Sequence, residues 1–472
     1  MNKEPVKKAK KGILSIVFSR ISLLAVLLII QIALIVGTVT YLEDYATYIY
    51  VIFIVLEVIS VVYIINSKSN PAFKTSWILF ILLIPIVGTV FYLFMKIQPG
   101  TSYLDHRLRA LNEATSPFMK QDKETVEALR VSKPANANLA HYLTHQAAFP
   151  VHRNTEVTYF PLGENKFKEM KKQLRLAEKY IFLEYFIVEE GVMWNEILDI
   201  LIDKVSKGVE VRFMYDGMCS MVQLPYHYPK TMRKYGIKCK MFSPIKPVLS
   251  SHQNNRDHRK ICVIDGHVAF TGGINLADEY INKKVRFGYW KDTGIMLRGE
   301  GTANMTALFL QMWEYVTGED MPPLENYLPT AKLPADGYVQ PFADSPLDDI
   351  NIGESTYLQI IHNARKYVYI TTPYLVLDNE MITALTIAAQ SGVDVRILTP
   401  GIPDKKLVYM ITRSYYQQLH RAGVKIYEYR PGFLHAKTIV SDDDTAVVGT
   451  INMDFRSFFL HFECATCFYN SS

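Results

Sequence analysis

Two histidines, each two residues ahead of a lysine, recur in the same frame of a longer pattern. HRKICVIDGHVAFTGGIN begins at His258 and HAKTIVSDDDTAVVGTIN at His435, and both read H-x-K-x4-D-x6-G-[GT]-x-N. The matched positions are His258, Lys260, Asp265, Gly272 and Asn275, then His435, Lys437, Asp442, Gly449 and Asn452. A spacing of two on a β-branched run places histidine and lysine on one face of a strand. An imidazole, with an unperturbed pKa of about 6.5, is available at neutral pH both as a nucleophile and, protonated, as an acid. A lysine beside it supplies a positive charge for an anion. A single copy is an ordinary polar strand face; two copies inside a structural repeat read as two halves of one site.

The elements around these motifs are also duplicated. AEKYIFLEYFIV from Ala177 matches ARKYVYITTPYLV from Ala364, and KGVEVRFMYDG from Lys207 matches SGVDVRILTPG from Ser391. YGIKCKMF from Tyr235 matches AGVKIYEY from Ala422. The first and third pairs are offset by 187 residues, the second by 184 and the motifs by 177, so order and spacing are nearly kept. In each half a helical pattern ends at glycine and a β-branched strand follows, the usual connection of an α/β architecture. The expected organisation is a membrane anchor over 1–97, a linker over 98–145, half 1 over 146–320, a Pro-rich acidic linker over 321–349 and half 2 over 350–472.

Three charge-poor stretches precede the repeat. Residues 21–42 and 75–95 carry no charge, and 45–67 are interrupted only by Glu57. Each is long enough to cross a hydrocarbon core of about 30 Å, so two to three transmembrane helices are expected, with Pro85 and Gly88 tolerated in the third. Five lysines and one glutamate in the first twelve residues place the N-terminus on the cytoplasmic side. A third crossing would put the repeat outside, whereas a re-entrant segment would keep it inside. The net charge is +5, of which that tail supplies +4, so the remainder is nearly neutral, which argues against a broad nucleic-acid-binding face. The five cysteines form no disulfide framework, and the lone Cys464–Cys467 pair lacks the second pair a metal would need. Met218, Met221, Leu224, Tyr226 and Tyr228 could line a lipid groove or pack beneath a long loop.

The duplicated motif resembles that of the phospholipase D superfamily, over roughly Ala147 to the end. NPAFKTSWILFILLIPIVGTVFYLF, RDHRKICVIDGHVAFTGGINLADEYI and GTINMDFRSFFLHFE are similar to segments of bacterial cardiolipin synthases within it. The resemblance departs in showing three spans where two are usual, and in ending at Ser472 where such chains run on further. It implies N-terminal transmembrane helices followed by two tandem phospholipase D-like α/β/α halves, related by a pseudo-twofold axis and sharing one active site. A phosphodiester repels nucleophiles, so two nonbridging oxygens must be neutralised before attack. Lys260 and Lys437 can supply the charge, Asn275 and Asn452 amide hydrogens, and Gly273 and Thr450 a close approach to phosphate. No cluster of carboxylate or Cys/His ligands suggests a metal, and no cofactor is expected.

By resemblance, His258 is the nucleophile and His435 the acid/base, and an acidic residue about thirty positions beyond each histidine orients it, with Glu463 and Asp292 as candidates. Asp265 and Asp442 complete the catalytic motif, although their place just past the strands suits holding a turn. The implied reaction is phosphatidyl transfer between two phosphatidylglycerol molecules, giving cardiolipin and glycerol. The implied setting is multi-pass in a bacterial plasma membrane, among anionic lipids and without nucleic acid; the oligomeric state stays open. A phospholipase D hydrolase or a phosphatidylserine synthase would share these residues and differ in acceptor. A superfamily nuclease would need a basic groove and no anchor, and a non-enzymatic scaffold would be expected to have lost a motif residue.

Overall fold

The computed structural model describes residues 20–41, 43–96, 99–115, 117, 119–219, 223–245, 251–320, 322–330, 332–348 and 350–470. The lysine-rich tail and Met221 lie outside the described residues. The chain forms two compact units, one comprising the N-terminal helices through Tyr103, the other running from Leu104 through Ile245 and from Gln253 onward.

In the first unit, helix Arg20–Tyr41 is followed by helix Ala46–Asn66, whose 21 residues make it the one helix among the described residues long and apolar enough to cross a membrane. The third stretch, expected as one span, is instead broken into helices Pro71–Leu83 and Pro85–Lys96. Pro85 has no N–H to continue the ladder, and its ring crowds the preceding turn. At 1.5 Å per residue the two pieces reach only about 20 and 18 Å, short of a bilayer core. They fold back on one another: a Cβ on Gly88 would lie 2.9 Å from Ile81 Cα, and Trp77 sits 5.2 Å from the Tyr92 ring and 6.0 Å from Phe91.

The second unit holds both halves of the repeat. Half 1 supplies strands β1 (Thr155–Phe160), β2 (Tyr180–Tyr185), β3 (Glu210–Asp216), β4 (Lys238–Phe242), β5 (Arg256–Asp257), β6 (Lys260–Ile264), β7 (Val268–Gly272) and β8 (Gly294–Gly299). The segment leading into half 2 supplies β9 (Tyr338–Asp344), and half 2 supplies β10 (Tyr367–Thr371), β11 (Leu375–Val376), β12 (Asp394–Pro400), β13 (Lys425–Tyr429), β14 (Thr438–Ser441), β15 (Thr445–Gly449), β16 (Met453–Asp454) and β17 (His461–Tyr469). The first sheet runs β1-β8-β7-β6-β2-β3-β4. The second runs β13-β12-β10-β14-β15-β17-β5, with β9 also paired to β17. In each, a parallel trio (β2-β3-β4, β10-β12-β13) meets an antiparallel motif hairpin (β6-β7, β14-β15), which is the repeat seen in the sequence. Helix Thr302–Thr317, buried from Thr302 through Trp313, packs against β4, β6 and β7 of one sheet and β9 of the other. Both halves thereby share one core.

Two segments expected as linkers are structured. Residues 98–145 carry helices Pro99–Thr115, Lys123–Ser132 and Pro134–Ala147, and Leu129, Leu139, Ala140 and Leu143 are buried in the core of the second unit. The Pro-rich 321–349 segment contains β9, which pairs with β17 from Glu463↔Asp344 to Tyr469↔Tyr338. Pro341 sits inside that strand, so apolar burial against β17 overrides the usual reading of proline as a breaker.

Candidate active site

The two motif histidines are placed by one device used twice. β2 pairs antiparallel with β6 at Tyr185↔Lys260, and β10 with β14 at Thr371↔Thr438, so each motif opens at the carboxyl end of its half's parallel strands. Ligands in open α/β sheets bind at that edge. The motifs then cross between halves. β5 pairs parallel with the start of β17, and the His258 N–H donates to the Phe462 carbonyl at 2.9 Å. Reciprocally, Lys291 and Leu434 form a bridge, and the His435 N–H donates to the Lys291 carbonyl at 2.7 Å. Phe462 precedes Glu463 and Lys291 precedes Asp292, so each backbone clamp brings a histidine against the other half's carboxylate. His258 Nδ1 lies 2.9 Å from Glu463 Oε2, and His435 Nδ1 lies 2.6 Å from Asp292 Oδ2. With Nδ1–H committed to a carboxylate, Nε2 of each ring carries the lone pair.

Burial pushes the His258 imidazole well below its ordinary value, and the nearby Lys260 ammonium adds to this against the pull of Glu463. Burial and then the Lys437 charge take His435 down to about 4, with Asp292 opposing. Burial alone would raise Glu463, but the His258 partner and its hydrogen bond hold that carboxyl below the usual range. Glu463 is therefore placed as the acceptor of the His258 Nδ1–H. Lys260 is lowered to about 8 and Lys437 to about 7, chiefly by burial. The Lys260 charge acts on His258, His435 and Lys437 alike, which brings the four basic groups into one electrostatic site. Each ammonium donates to the carbonyl of its own histidine, Lys260 to His258 and Lys437 to His435.

The remaining motif residues lie away from the imidazoles or beside their carboxylate partners. Asp265 accepts from the Glu178, Lys179 and Tyr180 N–H groups at 2.7–2.8 Å, and Asp442 from Arg365, Lys366 and Tyr367 at 2.6–2.9 Å. Both have positive φ, 52° and 53°, in the turn at the far end of the motif strand. That end is about 13–16 Å from the lysine at roughly 3.3 Å per residue, so these aspartates tie the hairpin to the incoming strand and do not reach the histidines. Gly273 makes room for a carboxylate, since a Cβ there would fall 2.1 Å from Asp292 Oδ1. Thr450 Oγ1 donates to Glu463 Oε2 at 2.5 Å and accepts from Cys464 N at 3.0 Å. Asn275 accepts from Ile187 N at 3.0 Å and gives one amide hydrogen to the Tyr280 hydroxyl at 2.8 Å, and the Tyr280 ring stands 5.5 Å from His435. Gly273 and Thr450 thus border the carboxylates that orient the histidines, and Asn275 ties Ile187 to Tyr280. Asn452 donates its backbone N–H to Ser457 Oγ at 3.1 Å, and its Oδ1 is buried without a hydrogen-bond partner.

Two residues were missed. His461, 7% exposed, stands with its ring 5.3 Å from that of His258 and its Nδ1 3.6 Å from Glu463 Oε1. His258, His461 and Glu463 bring one ligand atom each within 4.8 Å of one another, the one such group among the described residues. The Glu463 carboxylate is already engaged by His258 and Thr450, so the trio reads as an oriented histidine with a neighbour. Lys166, buried on helix Gly163–Leu176, is lowered to about 8 by burial, and Asp292 and Lys260 both act on it. Neither residue lies in the repeated pattern, so a lone histidine and a lone helix lysine carried no signal.

Two tandem α/β halves that trade carboxylates across a shared histidine pair define a phospholipase D-like enzyme. The family model described as "Cardiolipin synthase, PLD-like domain" matches residues 170–313 and 357–472, and that of the phospholipase D-nuclease N-terminal segment matches 55–96. A cardiolipin synthase of Alkalihalophilus pseudofirmus is 37% identical over 87% of this chain and 82% of its own length. One of Geobacillus sp. is 38% identical over 85% and 80%. A Streptococcus mutans protein without an assigned function is 52% identical over 87% and 89%. The crystal structure of phosphatidylserine synthase from Haemophilus influenzae shares the fold at a TM-score of 0.52 and 15% identity, over 66% of this chain and 82% of that one. The chain belongs to the cardiolipin synthase family of phospholipase D-like phosphatidyltransferases.

Proposed function

We propose that the protein joins two phosphatidylglycerol molecules into cardiolipin and glycerol through a phosphatidyl-histidine. The reciprocal clamp, histidine N–H to the residue before the other half's carboxylate, is the observation that carries the reading. It presents two imidazoles in fixed tautomers beside two lysines. An entering phosphodiester brings negative charge between Lys260 and Lys437, which offsets their mutual repulsion and favours their charged forms. The same charge favours protonation of His435. Neutral His258 Nε2 attacks phosphorus, the bond to the glycerol headgroup breaks, and His435 protonates the departing oxygen. The terminal hydroxyl of a second phosphatidylglycerol then loses its proton to His435 and attacks phosphorus, and the P–N bond to His258 breaks.

Helix Ala46–Asn66 would cross the bilayer, the uncharged run 21–42 before it would supply a second crossing by its composition, and the paired short helices after them would dip in and return. With the lysine-rich N-terminus cytoplasmic, that topology leaves the catalytic unit on the cytoplasmic face of the plasma membrane. Anchor, two catalytic halves and the helical and β9-bearing connections between them are the working division of the chain.

The covalent step is testable with a phosphatidyl p-nitrophenyl ester, whose leaving group needs no acid. A His435→Ala enzyme should release nitrophenolate in a burst and retain the labelled phosphatidyl group on residue 258. His258→Ala should show neither. A burst from His258→Ala and not from His435→Ala would reverse the roles, and no adduct in either would remove the covalent step.

A further inference from the structure

We infer that helix Lys406–Ser414, with the loop before it, is an interfacial membrane contact of the catalytic unit, seated on anionic bilayer beside the mouth of the active site. This rests on the lipid-substrate reading above and adds a surface that neither the motif nor the N-terminal anchor implies. Amphipathic helices ordinarily turn the stripe at i, i+3, i+4 inward. Here the buried side is Thr412, which accepts from Leu375 N–H at 3.1 Å. Leu407 and Met410 are instead 70% and 68% exposed, and Ile411 and Ile402 are each 39% exposed. Leu407, Met410 and Ile411 fall at that spacing, so the apolar stripe faces solvent.

The flanking charge says what covers it. Residues 402–414 hold Lys405, Lys406 and Arg413 against one acid, Asp404, which lies 3.7 Å from Lys405, while Arg413 lies 4.0 Å from Glu428. Ile402 Cδ1 lies 3.1 Å from where a Gly288 Cβ would stand, next to the segment Lys283, Lys284, Val285, Arg286, in which Val285 is 81% exposed. Lys284 and Arg286 each have one acidic partner, Glu189 and Glu279, and no acid lies between Asn282 and Tyr289. Apolar side chains ringed by cations match a negatively charged lipid surface, where they can enter the headgroup–acyl boundary. Half 1 repeats the placement: the segment after β3, the counterpart of β12, exposes Met218 by 39% and Tyr226 by 56%. Contact with the site is short. Lys405 Nζ lies 3.1 Å from the Tyr374 hydroxyl, the Tyr374 ring 6.4 Å from Phe433, and Phe433 5.7 Å from His435.

The full chain, reconstituted in phosphatidylglycerol-containing vesicles, carries the test. All five cysteines are buried, so Met410→Cys can be labelled with an environment-sensitive fluorophore, with Lys172→Cys, whose side chain is 67% exposed, as control. Quenching of the residue 410 label by lipids brominated near the headgroup, without quenching at 172, is expected. A solvent-exposed label at 410 overturns the proposal. So does a signal that tracks protein density and cross-links two copies, which would make the stripe a self-association face. In parallel, Leu407→Glu/Met410→Glu should lower kcat/KM on bilayer substrate about tenfold and leave monomeric short-chain phosphatidylglycerol unaffected. Equal effects on both substrates, or none, contradict it. Quenching does not depend on turnover, so a chain that makes no cardiolipin yet buries residue 410 removes the proposed reaction and keeps the surface.

Discussion

Glu463 and Asp265 are both acidic, both belong to or follow a motif, and do different work. Glu463→Gln keeps the shape of the pair but no longer fixes the His258 tautomer, so kcat should fall about 10³–10⁴-fold with little change in melting temperature. Asp265→Ala releases three backbone N–H groups at a strand start and should cost about 1–3 kcal/mol of stability, with kcat per folded molecule retained. Thermal melts and active-site-normalised kinetics on the two variants separate the roles. The lysines set the pH dependence. With Lys437 at about 7 and Lys260 at about 8, their charge is lost as pH rises through that range, so kcat/KM should fall on the alkaline side there. Stability runs the other way. A histidine or lysine held below its unfolded pKa is neutral in the fold while the unfolded chain takes the proton. His435 therefore removes stability as pH falls from about 6.5 to about 4, and Lys437 does so from about 10.5 to about 7. Titrating kcat/KM and melting temperature on one preparation should show the opposite slopes between pH 7 and 8.

At the scale of elements, the duplication made the motif strands and their flanking parallel trios legible, because a β-branched run after glycine repeats at nearly constant offset. The exchange of carboxylates was not legible. Asp292 follows His258 by 34 residues and Glu463 follows His435 by 28, yet each serves the other histidine. Sequence distance carries no information on which half docks where; the β5–β17 pairing and the Lys291–Leu434 bridge decide it. The break at Pro85 was visible as a residue but not as a hairpin, since its outcome depends on Gly88 packing on Ile81. β9 was hidden because its strand character comes from β17. One element-level asymmetry is open to test. Behind His258, Arg259 Nε lies 2.7 Å from Glu184 Oε1 and 3.3 Å from Asp257 Oδ1, all buried, whereas half 2 has Ala436 in the matching place. Arg259→Ala should cost about 3–5 kcal/mol in chemical denaturation, because two buried carboxyls lose their cation.

For the whole molecule, two copies of a fold that each hold half of a site explain why both motifs are complete: neither histidine is oriented without the opposite half. Phosphatidylglycerol as donor and acceptor is the central claim, because a serine or water acceptor could use the same four basic groups. The decisive measurement incubates purified full-length protein in phosphatidylglycerol vesicles with the headgroup and an acyl chain separately labelled, and resolves the products over time. Cardiolipin and free glycerol should appear in equal amounts, and both should vanish in His258→Ala and His435→Ala. Phosphatidic acid in place of cardiolipin, or full activity in either variant, would contradict the reading.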